Sequence, residues 1–408
     1  MPFPVKVPPR RPSGADADPA RKAHRRRNHD AINASFGHAP GERPAMIAPA
    51  LREEIARRYG TPAVVIDLDR VARNIARLQA ACDAAGVANR PHIKTHKSPI
   101  IARMQIEAGA RGITCQKLGE AEVMAASGID DILVSYNLIG PHVVERLGRL
   151  LRESPARITV AADNPVTVAG LPDAAQAGGR TLDVVVECDT GRKRAGVETP
   201  GEAVALARDI ASRPGLAFAG LMLYPPPGGV AAAQAFLDEA QAGLAEHGLS
   251  ARIVSTGGTP NIPEIGQIRG TTEHRAGTVI FNDRMMIEAG VATLDDCALA
   301  VLARVVSRAG AERGILDAGS KTLTSDTGGG LDGHGLMPDH PGARIAGFAE
   351  EHGFLDLRAC AERPPVGTLV EVVPNHVCVV VNMVNELVAV RDGAIVGTIP
   401  VAARGLIA

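Results

Sequence analysis

Aromatic side chains are scarce in this chain of 408 residues: tryptophan is absent, and only three tyrosines and seven phenylalanines occur. Proteins that bind single-stranded nucleic acid stack bases on aromatic rings, so the composition argues against that activity. The net charge of −1 gives no basis for attraction to nucleic acid or to an anionic membrane. No apolar run reaches the length of a membrane-spanning helix. We therefore expect neither nucleic acid nor a membrane as a partner.

Cysteine is also infrequent, and its spacing is irregular. Reduced thiols in a cytoplasmic protein are therefore expected rather than a disulfide framework. The six residues are Cys82, Cys115, Cys188, Cys297, Cys360 and Cys378.

Residues 1–46 differ in composition from the rest. They contain the proline-rich run Val7–Pro12 and the basic run Arg25–Arg27, and they lack hydrophobic periodicity. This pattern predicts a disordered extension that takes no part in the fold.

Short β-branched runs alternate with amphipathic stretches from Tyr59 onward. Eight strand-then-helix units predict a (β/α)₈ barrel over residues 47–285, with a doubly wound sheet as the alternative. Strands without apolar–polar alternation suit a sheet that is covered on both faces. The candidate strands are Ala63–Asp67, Arg90–Lys94, Gly112–Cys115, Asp131–Ser135, Arg157–Ala161, Leu182–Cys188, Ala217–Leu223 and Arg252–Ser255.

The pattern changes after about Asp283, where strand-like runs follow one another without long helices. Turn signals such as Arg391-Asp392-Gly393 join them, so residues 286–408 are predicted to form a mostly β domain. The runs are Ala298–Val306, Leu369–Val373, Val377–Met383, Leu387–Val390 and Ala394–Val401.

Arg90 to Lys97 (RPHIKTHK) places Lys94 at the end of a predicted strand. Barrels do their chemistry at the carboxyl ends of their strands, so this lysine should project into the barrel mouth. A lysine desolvated there can lose its proton near neutral pH and form a Schiff base with a carbonyl group. A solvated basic loop is the alternative for such a motif taken alone.

Three further segments carry candidate chemistry. Ser255–Pro260 (STGGTP) follows the eighth predicted strand, where glycines allow backbone N–H groups to approach a phosphate. Asp189–Gly196 (DTGRKRAG) follows the sixth and could place a guanidinium at the barrel centre. His376 and Cys378 lie in a strand-like run, so both side chains should share one face as a zinc-type half-site. Core packing is the alternative for that pair.

Thr327–Gly333 (TGGGLDG) is rich in glycine but lacks the lysine and the strand–helix frame of a phosphate-binding loop. A mobile loop over the site is predicted.

Together these residues resemble the alanine-racemase-type fold of pyridoxal-phosphate enzymes over residues 50–408. The segment from Arg90 to Lys97 is similar to the cofactor-lysine motif of the D-threonine aldolase and D-serine dehydratase group. Pro374–Cys378 (PNHVC) resembles the metal pair of the dehydratases, whereas aldolases often carry aspartate at the place of Cys378. The run Tyr224-Pro225-Pro226-Pro227 departs from the polar segment of these relatives, so a different substrate pocket is expected.

The resemblance implies the roles of the site residues. Lys94 would be catalytic and bound to pyridoxal phosphate, and His376 and Cys378 would bind a divalent metal, zinc or else manganese or magnesium. The arginine of the DTGRKRAG segment would contact the phenolic oxygen of the cofactor. The implied cofactor-binding residues are Lys94, Arg194, Tyr224, Thr256, Gly257, Gly258, Thr259, Arg275 and Gly277.

A lyase is favoured over a racemase because a racemase of this fold uses a tyrosine of its β domain as the second proton carrier. The three tyrosines here, Tyr59, Tyr136 and Tyr224, all precede that domain. The expected function is a metal-assisted lyase acting on D-β-hydroxy amino acids, by dehydration or by aldol cleavage, in a homodimer. A racemase, a decarboxylase or a non-catalytic cofactor-binding protein are the alternatives.

Overall fold

The computed structural model describes residues 46–408, so the predicted extension lies outside the described residues except for Met46. Sixteen strands are found in this part of the chain. They are β1 (Ala63–Asp67), β2 (Ala88–Asn89), β3 (Ile113–Cys115), β4 (Asp131–Asn137), β5 (Arg157–Ala162), β6 (Leu182–Cys188), β7 (Leu216–Leu223), β8 (Ile253–Thr256), β9 (Glu273–His274), β10 (Leu299–Ser307), β11 (Arg313–Leu316), β12 (Arg344–Phe348), β13 (Gly353–Asp356), β14 (Leu369–Val372), β15 (Glu386–Arg391) and β16 (Ala394–Pro400).

Eight longer helices precede β8, and three short ones follow β9. They are α1 (Pro49–Tyr59), α2 (Leu68–Ala84), α3 (Pro99–Glu107), α4 (Leu118–Ala126), α5 (Pro141–Glu153), α6 (Pro165–Gly178), α7 (Pro200–Ser212), α8 (Val230–Glu246), α9 (Arg284–Glu288), α10 (Ser320–Leu323) and α11 (Val377–Met383). No helix within residues 46–408 is long and apolar enough to cross a membrane.

Strands β2 to β9 form the predicted barrel, in the order β2-β9-β8-β7-β6-β5-β4-β3, and every pair is parallel. A parallel bridge between His92 and Thr114 joins the two ends of the sheet. Alternate residues of the strands are buried on opposite faces: Leu133 and Val185 pack inside the barrel, whereas Ile132 and Val184 pack against the helices. The covered sheet inferred from the strand pattern is confirmed.

The prediction that Ala63–Asp67 is the first barrel strand is wrong. This strand, β1, pairs antiparallel with β10 and parallel with β15, so it belongs to the β domain. The eighth barrel strand is instead β9, whose two residues are Glu273 and His274. A run as short and polar as β9 gives no strand signal, and the apolar run of β1 is equally suited to either sheet.

The β domain is an eight-stranded sheet in the order β12-β13-β11-β10-β1-β15-β16, with β14 paired to β10. The prediction that Val377–Met383 is a strand is wrong, because these residues form α11. Val377, Val380 and Val381 are buried on one side of the helix, and Asp283 accepts the first backbone N–H at 3.1 Å. Tertiary packing and this cap outweigh the strand preference of the valines. The domain boundary at residues 285 and 286 stays a prediction.

Candidate active site

One pocket opens at the carboxyl ends of the barrel strands, and most of the predicted site residues line it. Those that line it are Lys94, Arg194, Tyr224, Gly257, Gly258, Thr259, Arg275, Gly277 and His376. Thr256 and Cys378 are not among the lining residues. Thr256 accepts the backbone N–H of Arg275 on its carbonyl oxygen at 3.1 Å, so it supports the wall from behind.

Lys94 lies in a short 3₁₀ turn, Ile93–Thr95, rather than in the predicted strand. The strand ends at Asn89, and Pro91 follows, which has no backbone N–H to continue a ladder. His92 caps the turn, because its Nδ1 accepts the backbone N–H of Lys94 at 3.4 Å. The lysine side chain still reaches the pocket, although a turn holds it there instead of a strand end.

The imidazole of His92 is a further pocket residue that the sequence reasoning did not assign. Its Nε2 lies 3.2 Å from Oε1 of Gln116 and 3.4 Å from Oγ of Ser135. Burial, followed by the positive charges of Lys94 and Arg275, holds the pKa of His92 well below its ordinary range. The ring is therefore neutral at pH 7, and because Nδ1 accepts a hydrogen bond, its proton lies on Nε2.

The glycine-rich loop after β8 lines the pocket and has no room for side chains at two of its positions. A Cβ atom at Gly257 would lie 2.3 Å from Cε1 of His274, and Gly257 has a φ of +71°. A Cβ atom at Gly258 would lie 2.7 Å from Cε2 of Tyr224. Thr259 ties this loop to the next one, since its Oγ1 accepts the N–H of Gly277 at 3.2 Å. Gly257 and Gly258 therefore present bare backbone at the pocket, packed against His274 and Tyr224, and we call this pair the cradle.

Three arginines surround the pocket in different states. Arg275 is buried and donates to Oγ of Ser255 at 2.7 Å, and burial lowers its pKa to about 10. Arg194 lies 3.6 Å from the carboxylate of Glu187. Arg192 stacks on Tyr224, with its Cζ 3.9 Å from the ring centroid, and its Nε and Nη2 are buried without a partner. Such an excess of guanidinium groups favours an anionic ligand.

Glu187 is a carboxylate that lines the pocket beside these arginines, and it was not predicted from the sequence. It ends the apolar part of β6 and is 7 % exposed. Burial raises the pKa of Glu187, and the neighbouring Arg194 and Arg275 oppose that rise. A carboxylate in this environment can hold Arg194 in place across the pocket.

His376 and Cys378 adjoin the pocket at the start of α11. His376 is the residue preceding the helix, and Cys378 is its second residue, so a helix start rather than a strand face brings them together. Sγ of Cys378 lies 3.2 Å from Oγ1 of Thr95 and 3.9 Å from Oγ1 of Thr278. The thiol therefore lies next to the turn that carries Lys94.

The two side chains influence each other. Burial alone would lower the pKa of His376, but the hydrogen bond and charge of Cys378 raise it to about 9. Burial alone would raise the pKa of Cys378, but the hydrogen bond from His376 lowers it. An imidazole nitrogen beside a cysteine sulfur is a donor set that suits zinc. No third His, Cys, Asp or Glu completes a metal-binding group among residues 46–408, so two donors would leave coordination positions open.

Asp283 connects the barrel with His376 and Cys378, and it was also not predicted from the sequence. It is fully buried, and burial raises its pKa to about 6. One carboxylate oxygen accepts the N–H of Met286 at 3.0 Å, and the other accepts the N–H of Val377 at 3.1 Å. Asp283 thereby fixes the start of α11 against the pocket. Nothing in the local sequence distinguishes it from an ordinary helix cap.

The sequence profile described as alanine racemase, N-terminal domain, matches residues 66–285. The chain belongs to this family. The profile of a putative serine dehydratase domain matches residues 298–390. The resemblance inferred from the lysine motif is confirmed, and so is the predicted fold class.

Curated members of this family with known activities are similar over most of their length. A D-threonine aldolase from Arthrobacter sp. is 35 % identical over 381 residues, which cover 88 % of this chain and 97 % of the relative. A D-threo-3-hydroxyaspartate dehydratase from Delftia sp. (strain HT23) is 35 % identical over 350 residues, covering 78 % and 90 %.

Solved structures of the family superpose on this one. The crystal structure of D-threonine aldolase from Filomicrobium marinum has a TM-score of 0.77 and 32 % identity, covering 85 % of this chain and 96 % of that one. A cysteine-to-alanine mutant of a D-threo-3-hydroxyaspartate dehydratase, in the metal-free form, has a TM-score of 0.74 and 31 % identity, covering 83 % and 97 %. A histidine-to-alanine mutant of the same enzyme, altered two residues earlier, has a TM-score of 0.75.

Proposed function

We propose that this protein is a pyridoxal-phosphate-dependent lyase that acts on D-β-hydroxy amino acids with the help of a divalent metal ion. The observation that carries the proposal is the convergence at one pocket of Lys94, the cradle at Gly257 and Gly258, and His376, with Cys378 just behind the pocket wall against Thr95. A lysine can hold an aldehyde cofactor, a glycine loop can hold its phosphate, and an imidazole–thiolate pair can hold a metal.

The pocket residues fit pyridoxal phosphate by shape and by charge. The cradle presents backbone without side chains to the pocket, and the unpaired nitrogens of Arg192 and the buried guanidinium of Arg275 would offset the negative charge of a phosphate group there. When bound, the cofactor supplies an electron sink for the bonds of the substrate α-carbon. Lys94 would hold the cofactor and would take the α-proton on its Nζ atom. Arg194, held by Glu187, would orient the phenolic oxygen.

The metal pair distinguishes a β-hydroxy lyase from other activities of this fold. A metal ion on His376 and Cys378 would act as a Lewis acid toward the substrate β-hydroxyl. The donor set favours zinc, with manganese or magnesium as alternatives. Support comes from the D-threo-3-hydroxyaspartate dehydratase structures in which a histidine or a cysteine with the same two-residue spacing is mutated, the cysteine mutant having been solved in a metal-free form.

Two reactions are compatible with this arrangement. If the β-hydroxyl group leaves, the products are a keto acid and ammonia. If that hydroxyl loses its proton instead, the Cα–Cβ bond breaks and glycine and an aldehyde form. The Cys378 thiolate favours dehydration, whereas the similarity to a D-threonine aldolase over 97 % of its length favours aldol cleavage as the second candidate. The absence of a tyrosine from residues 286–408 makes a racemase the less favoured alternative.

We further propose a homodimer in a reducing compartment such as the cytoplasm. Support for the compartment comes from the six cysteines, all of which are free thiols in the structure. The oligomeric state can be measured by sedimentation together with activity.

The decisive experiment supplies purified holoenzyme with D-serine, D-threonine or D-threo-3-hydroxyaspartate and identifies the products. Keto acid plus ammonia would identify dehydration, and glycine plus an aldehyde would identify aldol cleavage. Each reaction is repeated after treatment with a chelator and in a His376→Ala variant, both of which should stop turnover while leaving the cofactor bound. Full turnover in the chelated protein would reject the metal-assisted mechanism.

A further inference from the structure

We propose that Asp326 is a positioning residue that fixes the imidazole ring of His376 with its proton on Nδ1, leaving Nε2 as the metal donor. The inference rests on the proposed function, since it assumes that His376 binds a metal ion. It assigns a role to a residue of the loop between α10 and β12, far from the barrel in sequence.

The contact between the two residues is short and specific. Oδ2 of Asp326 lies 2.8 Å from Nδ1 of His376. The other carboxylate oxygen, Oδ1, accepts the backbone N–H of Gly328 at 2.8 Å. Both oxygens are therefore committed, and the carboxylate cannot turn away from the ring without losing a second hydrogen bond.

The backbone of Asp326 is also fixed relative to His376. Its carbonyl oxygen accepts a hydrogen bond of 3.2 Å from Nδ2 of Asn375, the residue that precedes the histidine. The same Nδ2 donates to the carbonyl oxygen of Gly333 at 2.9 Å, on the other side of the glycine-rich turn. One buried amide thus holds both sides of this turn beside His376.

The glycine-rich sequence is what allows this geometry. Gly328, Gly329 and Gly330 have φ values of +60°, +77° and +100°, a region that favours glycine. A Cβ atom at Gly328 would also lie 2.9 Å from Cδ1 of Leu331. The glycine-rich segment Thr327–Gly333 therefore forms a tight turn. This turn brings the carboxylate of Asp326 against the imidazole of His376.

The chemistry follows from the roles of the ring nitrogens. An imidazole that binds a metal ion must free one of its two ring nitrogens, and an ionised carboxylate can only accept a hydrogen bond, so the N–H that remains lies on Nδ1. The lone pair on Nε2 is then available to a metal ion, and the carboxylate makes that nitrogen more basic. Loss of such a partner typically weakens metal binding by about 10- to 100-fold.

The test compares Asp326→Ala and Asp326→Asn with the matched control Asp332→Asn. Asp332 lies in the same loop, and its exposed carboxylate bonds Arg344 rather than His376. The dissociation constant for Zn²⁺ is measured on cofactor-loaded protein by competition with a chelator. We expect 10- to 100-fold weaker binding for Asp326→Ala and no change for the control.

Asp326→Asn should bind zinc at least as weakly as Asp326→Ala. An asparagine that accepts from Gly328 must direct its NH₂ group at His376, which favours the wrong tautomer with its proton on Nε2. In zinc-saturated protein, ¹⁵N NMR of the histidines should place the His376 proton on Nδ1 in the wild type. The signal is assigned by its loss in His376→Ala. The dissociation constant of the cofactor should stay unchanged in both Asp326 variants.

The outcomes separate this inference from the proposed function. If wild type and His376→Ala bind zinc equally, the metal pair itself is rejected. If His376→Ala loses zinc but both Asp326 variants bind within twofold of wild type, the positioning role is overturned. Equal losses of zinc and cofactor in the Asp326 variants would indicate general damage to the fold, and they would also overturn the proposal.

Discussion

A single methyl group at Gly258 should weaken cofactor binding. The backbone of Gly258 is extended, with a φ of −168°, so alanine can adopt it without strain. The cost comes only from contact, because the new Cβ would lie 2.7 Å from Cε2 and 3.1 Å from Cζ and Oη of Tyr224. The ring cannot move freely, since Arg192 stacks on it at 3.9 Å.

The size of the effect follows from the cost of overpacking. Inserting a methyl group into a well-packed site typically costs about 1–3 kcal/mol. If the bound cofactor fixes Tyr224 in its present position, the strain lowers the affinity for the cofactor. The dissociation constant of the cofactor should then rise by about 5- to 150-fold. Titration of the apoprotein with pyridoxal phosphate, followed by its visible absorbance, measures this constant directly.

Two further variants make the test specific. Gly201→Ala is the matched control, because a Cβ at that helical position meets nothing within 4 Å. Adding Tyr224→Ala to Gly258→Ala removes the obstacle, so the two substitutions together should cost less than their sum. Wild-type affinity in Gly258→Ala, or strictly additive losses in the double variant, would refute the cradle assigned to this loop.

The remaining predictions concern other parts of the molecule. Borohydride reduction of the holoenzyme and peptide mapping should place the pyridoxyl group on Lys94, and finding it on Lys117 at the neighbouring pocket would show that the lysine is misassigned. Cys378→Asp should retain a metal ion but shift its preference from zinc toward manganese, as measured by competition between the two ions. Glu273→Gln should lower the free energy of unfolding by about 1–3 kcal/mol in urea titrations, because it removes the buried charge that lies 2.7 Å from Arg90 while Asp131 still pairs with that arginine, and an unchanged midpoint would contradict this. Burial lowers the pKa of His96 from 6.5 to about 4. Between these two pH values the ring is protonated in the unfolded chain but neutral in the folded protein. Stability should therefore fall as the pH drops from 6.5 to 4, by about 1.4 kcal/mol per unit from this group, and His96→Gln should show a shallower pH dependence.

Much of the barrel could be predicted from the sequence because its central strands are long and apolar. Strands β4 to β8 agree with the predicted runs to within two residues at either end. The glycine loop after β8 could be predicted for a related reason, because the small residues that form it follow the strand directly in the sequence.

The errors arose where a partner distant in sequence decides the structure. The run of β1 has no feature that selects the β domain over the barrel, since both sheets bury such a strand on two faces. The valines of α11 favour a strand, but Asp283 caps the segment as a helix from 94 positions away. The conformational preferences of the residues within a segment cannot reveal a partner that lies so far away in the sequence.

The same limit applies to the site. Lys94, His376 and Cys378 could be predicted as site residues, because each lies in a short motif whose side chains suggest a chemical role. Asp326 was not, although it lies 2.8 Å from His376, because its role depends on a glycine turn that has no recognisable pattern. Residues that act through another side chain are visible only in three dimensions.

The position of β1 has a consequence for how the chain folds. This strand lies between β10 and β15 in the sheet, yet the entire barrel separates it from both in sequence. A nascent chain must keep β1 unpaired until β10 and β15 emerge, and such non-local pairing is slow. A fragment that begins after the barrel would expose two apolar strand edges and should aggregate. The β domain therefore has an inner strand of its sheet encoded before the barrel, and we expect the two domains to fold as one unit.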